Sequence, residues 1–142
     1  MSALREEALA EYRILDVRMP PTVDYQQDSE GICRSFGFLE PRDKRKTAAR
    51  IFKLLLEAAK DNKGFTSNEL AKKIGLTRGT IVHHLNLMIK RGLVIYHENQ
   101  YKLRGRSLRS TIREVQRDIN RVFENLDKVA ATIDETLGLL NR

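Results

Sequence analysis

The stretch at residues 76–94, LTRGTIVHHLNLMIKRGLV, decides the fold of this chain. A helix can start here with Thr77 as its cap, and Gly92 can end it. At 100° per residue one side of that helix is apolar, formed by Ile81, Leu85, Met88 and, at its edge, Ile89. The opposite side is small, polar and positive, formed by Gly79, His83, Asn86 and Lys90. The stretch therefore predicts a helix that is buried on one side and exposed on the other.

The exposed side of this predicted helix has features suited to a phosphate backbone. Gly79, in the first turn, lets a neighbouring surface approach closely. The start of a helix also offers unpaired N–H groups, which favour phosphate. These are the properties needed by a helix that enters the major groove of DNA. A plain surface amphipathic helix is the alternative, and the flanking segments favour the DNA-binding interpretation.

The flanking segments predict a helix-turn-helix followed by a wing. Upstream, Thr66 and Glu69 form a capping box that opens a short helix, and Gly75 ends that helix. Downstream, two short apolar runs at residues 93–97 and 101–104 flank a polar turn and predict a β-hairpin. A hairpin directly after such a helix is a wing.

The order of these residues resembles the winged helix-turn-helix regulators of the ArsR and MarR type, with the ArsR-like signature the closer match. The family's run is Leu-Ser, two variable residues, Thr-Val, His-Leu three positions on, and later Gly-Leu-Val. The matching positions here are Leu76-Thr77, Thr80-Ile81, His84-Leu85 and Gly92-Leu93-Val94. The resemblance spans residues 46–104 and implies the fold and DNA binding, but no particular operator. Metal-sensing members carry a cysteine pair on the helix at residues 67–74, which has none here, so metal sensing is not implied.

Length and composition are typical of one small helical domain with extensions. The chain has 142 residues, of which 41% are hydrophobic and 6% aromatic. No stretch reaches about 18 apolar residues and the N-terminus has no apolar signal segment, so we expect no membrane association and a cytoplasmic protein. The single cysteine, Cys33, cannot form an internal disulfide and is expected to be buried or inert.

The net charge of +7 is unevenly distributed along the chain. Residues 1–41 contain 4 basic and 8 acidic side chains, residues 42–114 contain 18 and 6, and residues 115–142 contain 4 and 5. The positive charge therefore lies in the winged-helix segment, between flanks of opposite sign. This placement favours a phosphate-binding surface over a merely solvated basic surface.

The first forty residues carry weaker signals. Helix formers with apolar residues at helical spacing predict a short helix over residues 2–15. Residues 22–40 have no sustained period and predict an irregular arm. Because Phe36, Phe38 and Leu39 are too apolar to remain in solvent, we expect this arm to pack on the domain or on a partner subunit, in preference to lining an effector pocket.

Residues 41–60 predict a strong amphipathic helix, the first of the domain. Pro41 suits its N-terminus. Its apolar positions are Ala48, Ile51, Phe52, Leu55, Leu56 and Ala59. Basic residues at its entry either contact phosphates or keep the surface solvated, and the sequence leaves both open. Phe65 then begins a short connection in which the family often places a small strand that pairs with the wing.

From Leu108 onward, apolar residues recur at alternating spacings of four and three and predict one helix of about 30 residues, about 45 Å long. The candidate dimerisation residues are Leu108, Ile112, Val115, Ile119, Val122, Leu126, Val129, Ile133 and Leu140. With Phe123, Ala130 and Leu137 alongside, the apolar stripe is wider than a two-stranded coiled coil needs, so part of it could cover the domain or a four-helix contact. Self-association is favoured, because a winged helix of about 60 residues is too small to cover so much apolar surface.

The sequence thus predicts a mainly α fold in three parts. Residues 1–40 are the N-terminal helix and irregular arm, residues 41–105 the winged helix-turn-helix domain, and residues 106–142 the C-terminal dimerisation helix. The candidate DNA contacts are Thr77, Arg78, Gly79, Thr80, His83, Asn86 and Lys90 in the helix, and Asn99, Gln100, Lys102 and Arg104 in the wing.

Two functions fit these features. The first is a sequence-specific regulator of transcription that binds double-stranded DNA as a homodimer on an inverted-repeat operator, with repression implied by the resemblance alone. The second is a winged helix used as a protein-interaction module, which docks through its coiled coil. An enzyme is not indicated, because the three histidines lie near no cysteine or carboxylate cluster and no phosphate loop or nucleophile motif is present. We therefore expect no metal or cofactor, and the sequence specifies no small-molecule effector.

Overall fold

A computed structural model of the chain describes residues 10–18, 24–38 and 42–139. Within those ranges the chain forms five helices and one β-hairpin. The elements are α1 (Tyr25–Ser35), α2 (Thr47–Ala59), α3 (Ser67–Ile74), α4 (Arg78–Lys90), β1 (Val94–His97), β2 (Gln100–Leu103) and α5 (Leu108–Leu137). The predicted fold class is confirmed: a mainly helical chain with a hairpin after the helix-turn-helix and a long C-terminal helix. In the described ranges, no helix combines the length and the apolar character needed to cross a membrane.

Side-chain caps define the turn between α3 and α4. The Thr66 hydroxyl accepts the Glu69 N–H at 3.1 Å, and the Glu69 carboxylate accepts the Thr66 N–H at 2.8 Å, which completes the predicted capping box. α3 ends at Gly75, whose φ of +81° lies in the left-handed region that favours glycine. The Thr77 hydroxyl then accepts the Thr80 N–H at 3.2 Å and starts α4.

The core is formed mainly by α2, α4 and the hairpin. Its fully buried side chains include Ile51, Phe52, Leu55, Leu70, Ile81, Leu85, Met88 and Leu93. The apolar stripe predicted for α4 is therefore confirmed. Burying one such side chain contributes roughly 1.5–3 kcal/mol, so α4 is held firmly on its scaffold by one side while its other side is exposed.

The hairpin, residues 94–103, forms the wing. β1 and β2 pair in antiparallel register with Val94 opposite Leu103. The connecting residues Glu98 and Asn99 both have positive φ, 51° and 64°. This is the combination that a two-residue turn needs to match the twist of its strands, and Asn tolerates it well.

A short segment before α3 adds to the edge of the wing. Phe65 and Tyr101 exchange two backbone hydrogen bonds of 2.9 and 2.7 Å, which form an isolated antiparallel bridge. This confirms the predicted pairing with the wing. At the neighbouring Gly64 the two backbones approach so closely that an added Cβ would clash with the Tyr101 carbonyl and lie 2.8 Å from Lys102 Cβ.

Residues 10–18 form no helix, which corrects the described part of the helix predicted over residues 2–15. Residues 2–9 lie outside the described residues. Leu15 N–H donates to the Ser35 carbonyl at 2.7 Å, and the Tyr12 hydroxyl donates to Asp118 at 3.0 Å. Because Tyr12 also packs against the core, tertiary contacts override the local helical spacing here.

Residues 25–35 form α1, which corrects the irregular arm predicted over residues 22–40. The buried residues of α1 are small, Ser29, Gly31 and Cys33, and Ile32 is partly buried against the core. Such residues let α1 pack closely against its surroundings, yet they do not produce an apolar period in the sequence.

The buried side chains around α1 behave as predicted where the structure describes them. Cys33 is fully buried, so the expected burial is confirmed, and burial raises the pKa of its thiol to about 12. Phe36 and Phe38 are also buried, so the arm packs on the domain. Leu39 lies outside the described residues.

α2 begins at Thr47, later than the start predicted at residue 41, which lies outside the described residues. The preceding Lys46 has φ +52° and caps nothing with its side chain. Asp43 takes that role, since its carboxylate accepts the Thr47 hydroxyl at 3.1 Å and the Ala48 N–H at 3.4 Å. Burial acts to raise the pKa of Asp43, but these hydrogen bonds outweigh it and hold the pKa below its usual value.

α5 divides into a covered half and a bare half, so the part of the predicted stripe that covers the domain, a possibility that the sequence left open, is its first half. Val115 is buried, and Leu108, Ile112 and Ile119 pack partly buried against the chain's own core. Beyond Ile119 the apolar residues of the predicted stripe are exposed: Val122, Leu126, Val129 and Ile133, together with Phe123 and Leu137 alongside. Leu140 lies outside the described residues.

Asp118 ties α5 to the hairpin and to the N-terminal segment. It accepts hydrogen bonds from Arg104 at 2.6 Å and from Tyr12 at 3.0 Å, and it pairs with Arg121. The hydrogen bond from Arg104 holds the pKa of Asp118 well below its usual range, although burial opposes this.

We expect Asp118→Asn to lower the free energy of unfolding by about 1.5–3 kcal/mol at neutral pH, because a carboxylate that accepts charged hydrogen bonds is lost. The folded-state pKa of Asp118 is lowered, so its contribution is present above the unfolded-state value of about 3.9 and is lost as the pH falls towards the folded-state value. The wild-type chain should therefore lose stability below about pH 4 more steeply than the variant. Urea unfolding across this range measures the difference, with the exposed Asp127→Asn as control; parallel wild-type and Asp118→Asn pH curves would contradict the expectation.

Candidate nucleic-acid interface

The polar side of α4 is exposed, opposite the side that packs in the core. All the positions on this helix that were predicted to contact DNA are exposed: Thr77, Arg78, Gly79, Thr80, His83, Asn86 and Lys90. At Gly79 an added Cβ would meet no atom within 4 Å, so the first turn of α4 is open to an approaching surface. The structure thus brings these seven residues together on one accessible helix.

The first turn of α4 is braced against α3. Arg78 Nε donates to the Ser67 hydroxyl at 2.9 Å, while Arg78 remains exposed as a whole. The hydroxyls of Thr77 and Thr80 are hydrogen-bonded to each other at 2.9 Å. A side chain anchored at one point loses less conformational entropy when it binds a ligand, so this bracing favours a precise contact by Arg78.

His83 and His84 are neighbours with different surroundings. His83 is exposed, whereas His84 is half-buried. Their ring centroids lie 5.6 Å apart in an edge arrangement. His83 is therefore the histidine that a ligand on this side of α4 would meet.

Lys90, at the end of α4, is paired with the N-terminal segment. Its ammonium lies 2.9 Å from the Glu11 carboxylate, and the Lys90 carbonyl accepts the Glu11 N–H at 3.3 Å. Both side chains are about half exposed, and ion pairs that water reaches contribute little to stability. A phosphate can therefore compete for Lys90.

The predicted DNA contacts on the wing differ in how exposed they are. Asn99 is exposed at the turn and accepts a hydrogen bond from the Tyr96 hydroxyl at 2.9 Å. Gln100 and Lys102 are half-buried on β2. Lys102 Nζ lies 3.5 Å from Asn62 Oδ1, a contact too long to restrain the ammonium strongly.

Residues 45–97 match the family model of a helix-turn-helix domain. The match covers α2, α3, α4 and β1, and so includes the capped turn and the exposed side of α4. Together with this geometry it supports a helix-turn-helix DNA-binding regulator. No curated protein and no solved structure gives a significant match to the chain.

Arg104, one of the predicted DNA contacts, already has partners within the chain. Its guanidinium pairs with Asp118 at 2.6 Å and with Glu114 at 3.0 Å, and it also donates to the Gly92 carbonyl at 3.3 Å. Only 26% of the side chain is exposed. Arg104 therefore stabilises the junction of wing and α5, because its charge is already satisfied by two carboxylates.

A basic groove of about 300 Å³ between α1 and α2 is a site that sequence reasoning left undecided. Its basic lining consists of Arg45, Lys46, Arg50 and Lys53. Two of these residues have internal partners, since Lys46 pairs with Glu30 at 3.0 Å and Arg50 donates to the Ile74 carbonyl at 3.0 Å. The signal in the sequence was the basic run at the entry to α2, but the sequence did not reveal that part of the run holds α2 to α1 and α3.

Proposed function

We propose that the chain is a sequence-specific regulator of transcription that binds double-stranded DNA as a homodimer, with α4 in the major groove. The exposed polar side of α4 carries the proposal. It combines an open first turn at Gly79, a braced Arg78 and an exposed His83 on a helix whose other side is fully buried. A rigid helix with such a side is what direct contact with base edges requires.

The charge distribution supports DNA as the ligand of this surface. Residues 42–114, which include α2, α3, α4 and the wing, contain 18 basic and 6 acidic residues. A surface of this charge attracts the phosphate backbone irrespective of sequence, while α4 contacts the bases. Lys102 and Asn99 on the wing are proposed to contact the adjacent backbone or minor groove.

Two copies related by a two-fold axis would place two α4 helices on the DNA. The half-sites of such a dimer lie about 34 Å apart, or a multiple of that, and form an inverted repeat. Repression is the action that the ArsR-like resemblance implies. The division of the chain into three parts, with boundaries at residues 41 and 106, stays a prediction. The first half of α5 packs against the core of the winged domain, so we propose to count it with that domain.

Selection of bound sequences from random duplex DNA tests the proposal. Enrichment of an inverted repeat with half-sites one helical turn apart is the expected result. Enrichment of a single half-site would retain DNA recognition and remove the dimer. No enrichment over an unselected pool would overturn sequence-specific binding.

A second candidate function is a winged helix that serves as a protein-interaction module. The bare half of α5 favours it, because exposed apolar residues such as Phe123 and Leu137 suit a protein partner. A protein-interaction module would not have to bind duplex DNA through its basic surface.

Salt dependence separates the two functions. If the dimer makes about 6 phosphate contacts, the logarithm of the DNA association constant should fall with the logarithm of salt concentration with a slope of about −5. Fluorescence anisotropy with a labelled duplex measures this slope. A slope near zero, or no binding at low salt, would favour the protein-interaction module.

We expect Arg78→Ala and His83→Ala each to cost about 1–3 kcal/mol on the preferred DNA site and much less on random DNA, because base contacts carry sequence discrimination. Lys102→Ala should weaken the complexes with the preferred site and with random DNA alike, because a phosphate contact does not discriminate between sequences. It should also make the salt slope shallower by about 1. Competition binding with specific and scrambled duplexes measures both effects.

A matched control isolates the structural role of Arg78. Ser67→Ala removes the hydroxyl that Arg78 contacts but leaves the guanidinium in place, so it should retain most of the discrimination. If Arg78→Ala and His83→Ala leave the ratio of specific to random affinity unchanged, then this side of α4 does not contact base edges.

A further inference from the structure

The bare half of α5 has an apolar pattern that is symmetric about its own midpoint. Counting outward from a point between Val129 and Ala130, six of the eight apolar residues at positions 120–137 occur in pairs at equal distances: Val129 with Ala130, Leu126 with Ile133, and Val122 with Leu137. All six residues lie on one side of the helix, within about 100°. Such a side presents the same residues to a second copy that runs in the opposite direction.

An open groove lies where the covered half of α5 meets the bare half. It has a volume of about 970 Å³ and is bounded by residues 10–14 and by α5 near residues 118–123. Apolar side chains on both walls are exposed, with Ile14 at 55% and Phe123 at 63%. The groove therefore has room for apolar side chains from outside the chain.

The C-terminal end of α5 carries exposed apolar side chains of this kind. Leu137 is 66% exposed and Leu139 is 48% exposed. Gly138, with φ +68°, ends the helix, and Leu139 N–H donates back to the Asp134 carbonyl at 2.8 Å. This closed helix end gives Leu139 a defined position beside the last turn.

We propose that α5 pairs in antiparallel direction with the α5 of a second copy, with the two-fold axis between Val129 and Ala130. This inference rests on the homodimer proposed above and adds its packing direction. In this arrangement the partner's Leu137 and Leu139 lie at the level of residues 122 and 120, and they fill the groove beside Phe123 and Ile14.

The parallel alternative leaves these surfaces uncovered. Both grooves would then lie at the same end of the pair, and both C-terminal ends would lie at the other, about 22 Å away along the helix. Among the described residues of such a pair, the exposed Ile14 would gain no apolar partner. An antiparallel pair also places the C-terminal end of each helix at the level of Arg121 on the other helix, and a cation near a helix C-terminus is favourable.

Thiol crosslinking of single substitutions tests the direction. Ala130→Cys lies beside the axis and should link to itself in either direction, which makes it the positive control. Val122→Cys and Leu137→Cys should each fail to link to themselves, since in an antiparallel pair their two copies are about 22 Å apart. An equal mixture of these two variants should form a linked heterodimer. The wild-type chain is the negative control, because its Cys33 is buried and its thiol is protonated.

Each outcome decides the proposal. If Val122→Cys and Leu137→Cys link to themselves as readily as Ala130→Cys, the helices are parallel, and the homodimer stands while the direction is wrong. If sedimentation shows a dimer but none of the three variants links, α5 is not the interface. If the wild-type chain sediments as a monomer at micromolar concentration, the proposed homodimer itself fails.

Discussion

Replacing Leu126 and Ile133 together by Asp is expected to convert the proposed dimer into a folded monomer at micromolar concentration. These side chains are 57% and 50% exposed in the single chain, so carboxylates there remain solvated in the monomer. In the dimer the same carboxylates would be buried without a partner, at a cost of several kcal/mol. Sedimentation equilibrium measures the change in mass, and circular dichroism verifies that the helix content is retained.

Two control variants show whether the effect belongs to the interface. Ala131→Asp adds a charge to the exposed opposite side of α5 and should leave the dimer intact. Ile119→Asp should lower the thermal stability of the single chain as well, because Ile119 packs against the chain's own core. If the double variant sediments like the wild-type dimer, the bare half of α5 does not hold the two copies together.

Gly64→Ala is expected to lower the free energy of unfolding by about 2–3 kcal/mol, because the added methyl group has no space. Its Cβ would clash with the Tyr101 carbonyl, and no flexible side chain can move aside to relieve a clash with backbone. The pairing of Phe65 with Tyr101 should separate, and the wing should lose its support at that edge. Thermal unfolding followed by circular dichroism measures the loss.

Gly79→Ala is the matched control and should have the opposite effect on stability. Its Cβ would meet no atom within 4 Å, and alanine is favoured over glycine in a helix by about 1 kcal/mol. The variant should therefore be more stable than the wild type, yet bind the preferred DNA site more weakly because the close approach at the first turn is blocked. If Gly64→Ala unfolds at the wild-type temperature, the close backbone approach at the wing is not present in solution.

The helix-turn-helix was predictable because its signals are local. Thr66, Gly75 and Thr77 act on the backbone within four residues of themselves, and the buried stripe of α4 follows from helical spacing alone. The long α5 was predictable for the same reason, since its spacing continues until Gly138.

The elements missed from the sequence depend on contacts between distant residues. α1 buries Ser29 and Cys33 against neighbouring elements, so its buried side is small and not strongly apolar. Tyr12 has the spacing of a helical residue, but its partner Asp118 is 106 positions away. No local pattern encodes either choice.

In the candidate site, too, local features could be predicted from the sequence and contacts between distant residues could not. The positions on α4 follow from the period of one helix, whereas Arg104 could be judged only once Glu114 and Asp118 were placed beside it. A basic residue next to a wing is a reasonable DNA contact until a carboxylate pair accounts for its charge. Likewise, the sequence left open whether part of the α5 stripe covers the domain, and only the placed helix identifies its first half as that part.

The contact between Tyr12 and Asp118 also bears on the order of folding. The two partners lie far apart along the chain, so the loop that this hydrogen bond closes spans 106 positions. Loops of that length close late, after the local helices and the hairpin have formed. The N-terminal segment should therefore join a core that is already assembled, and weakening this contact should mainly speed unfolding while leaving the folding rate nearly unchanged.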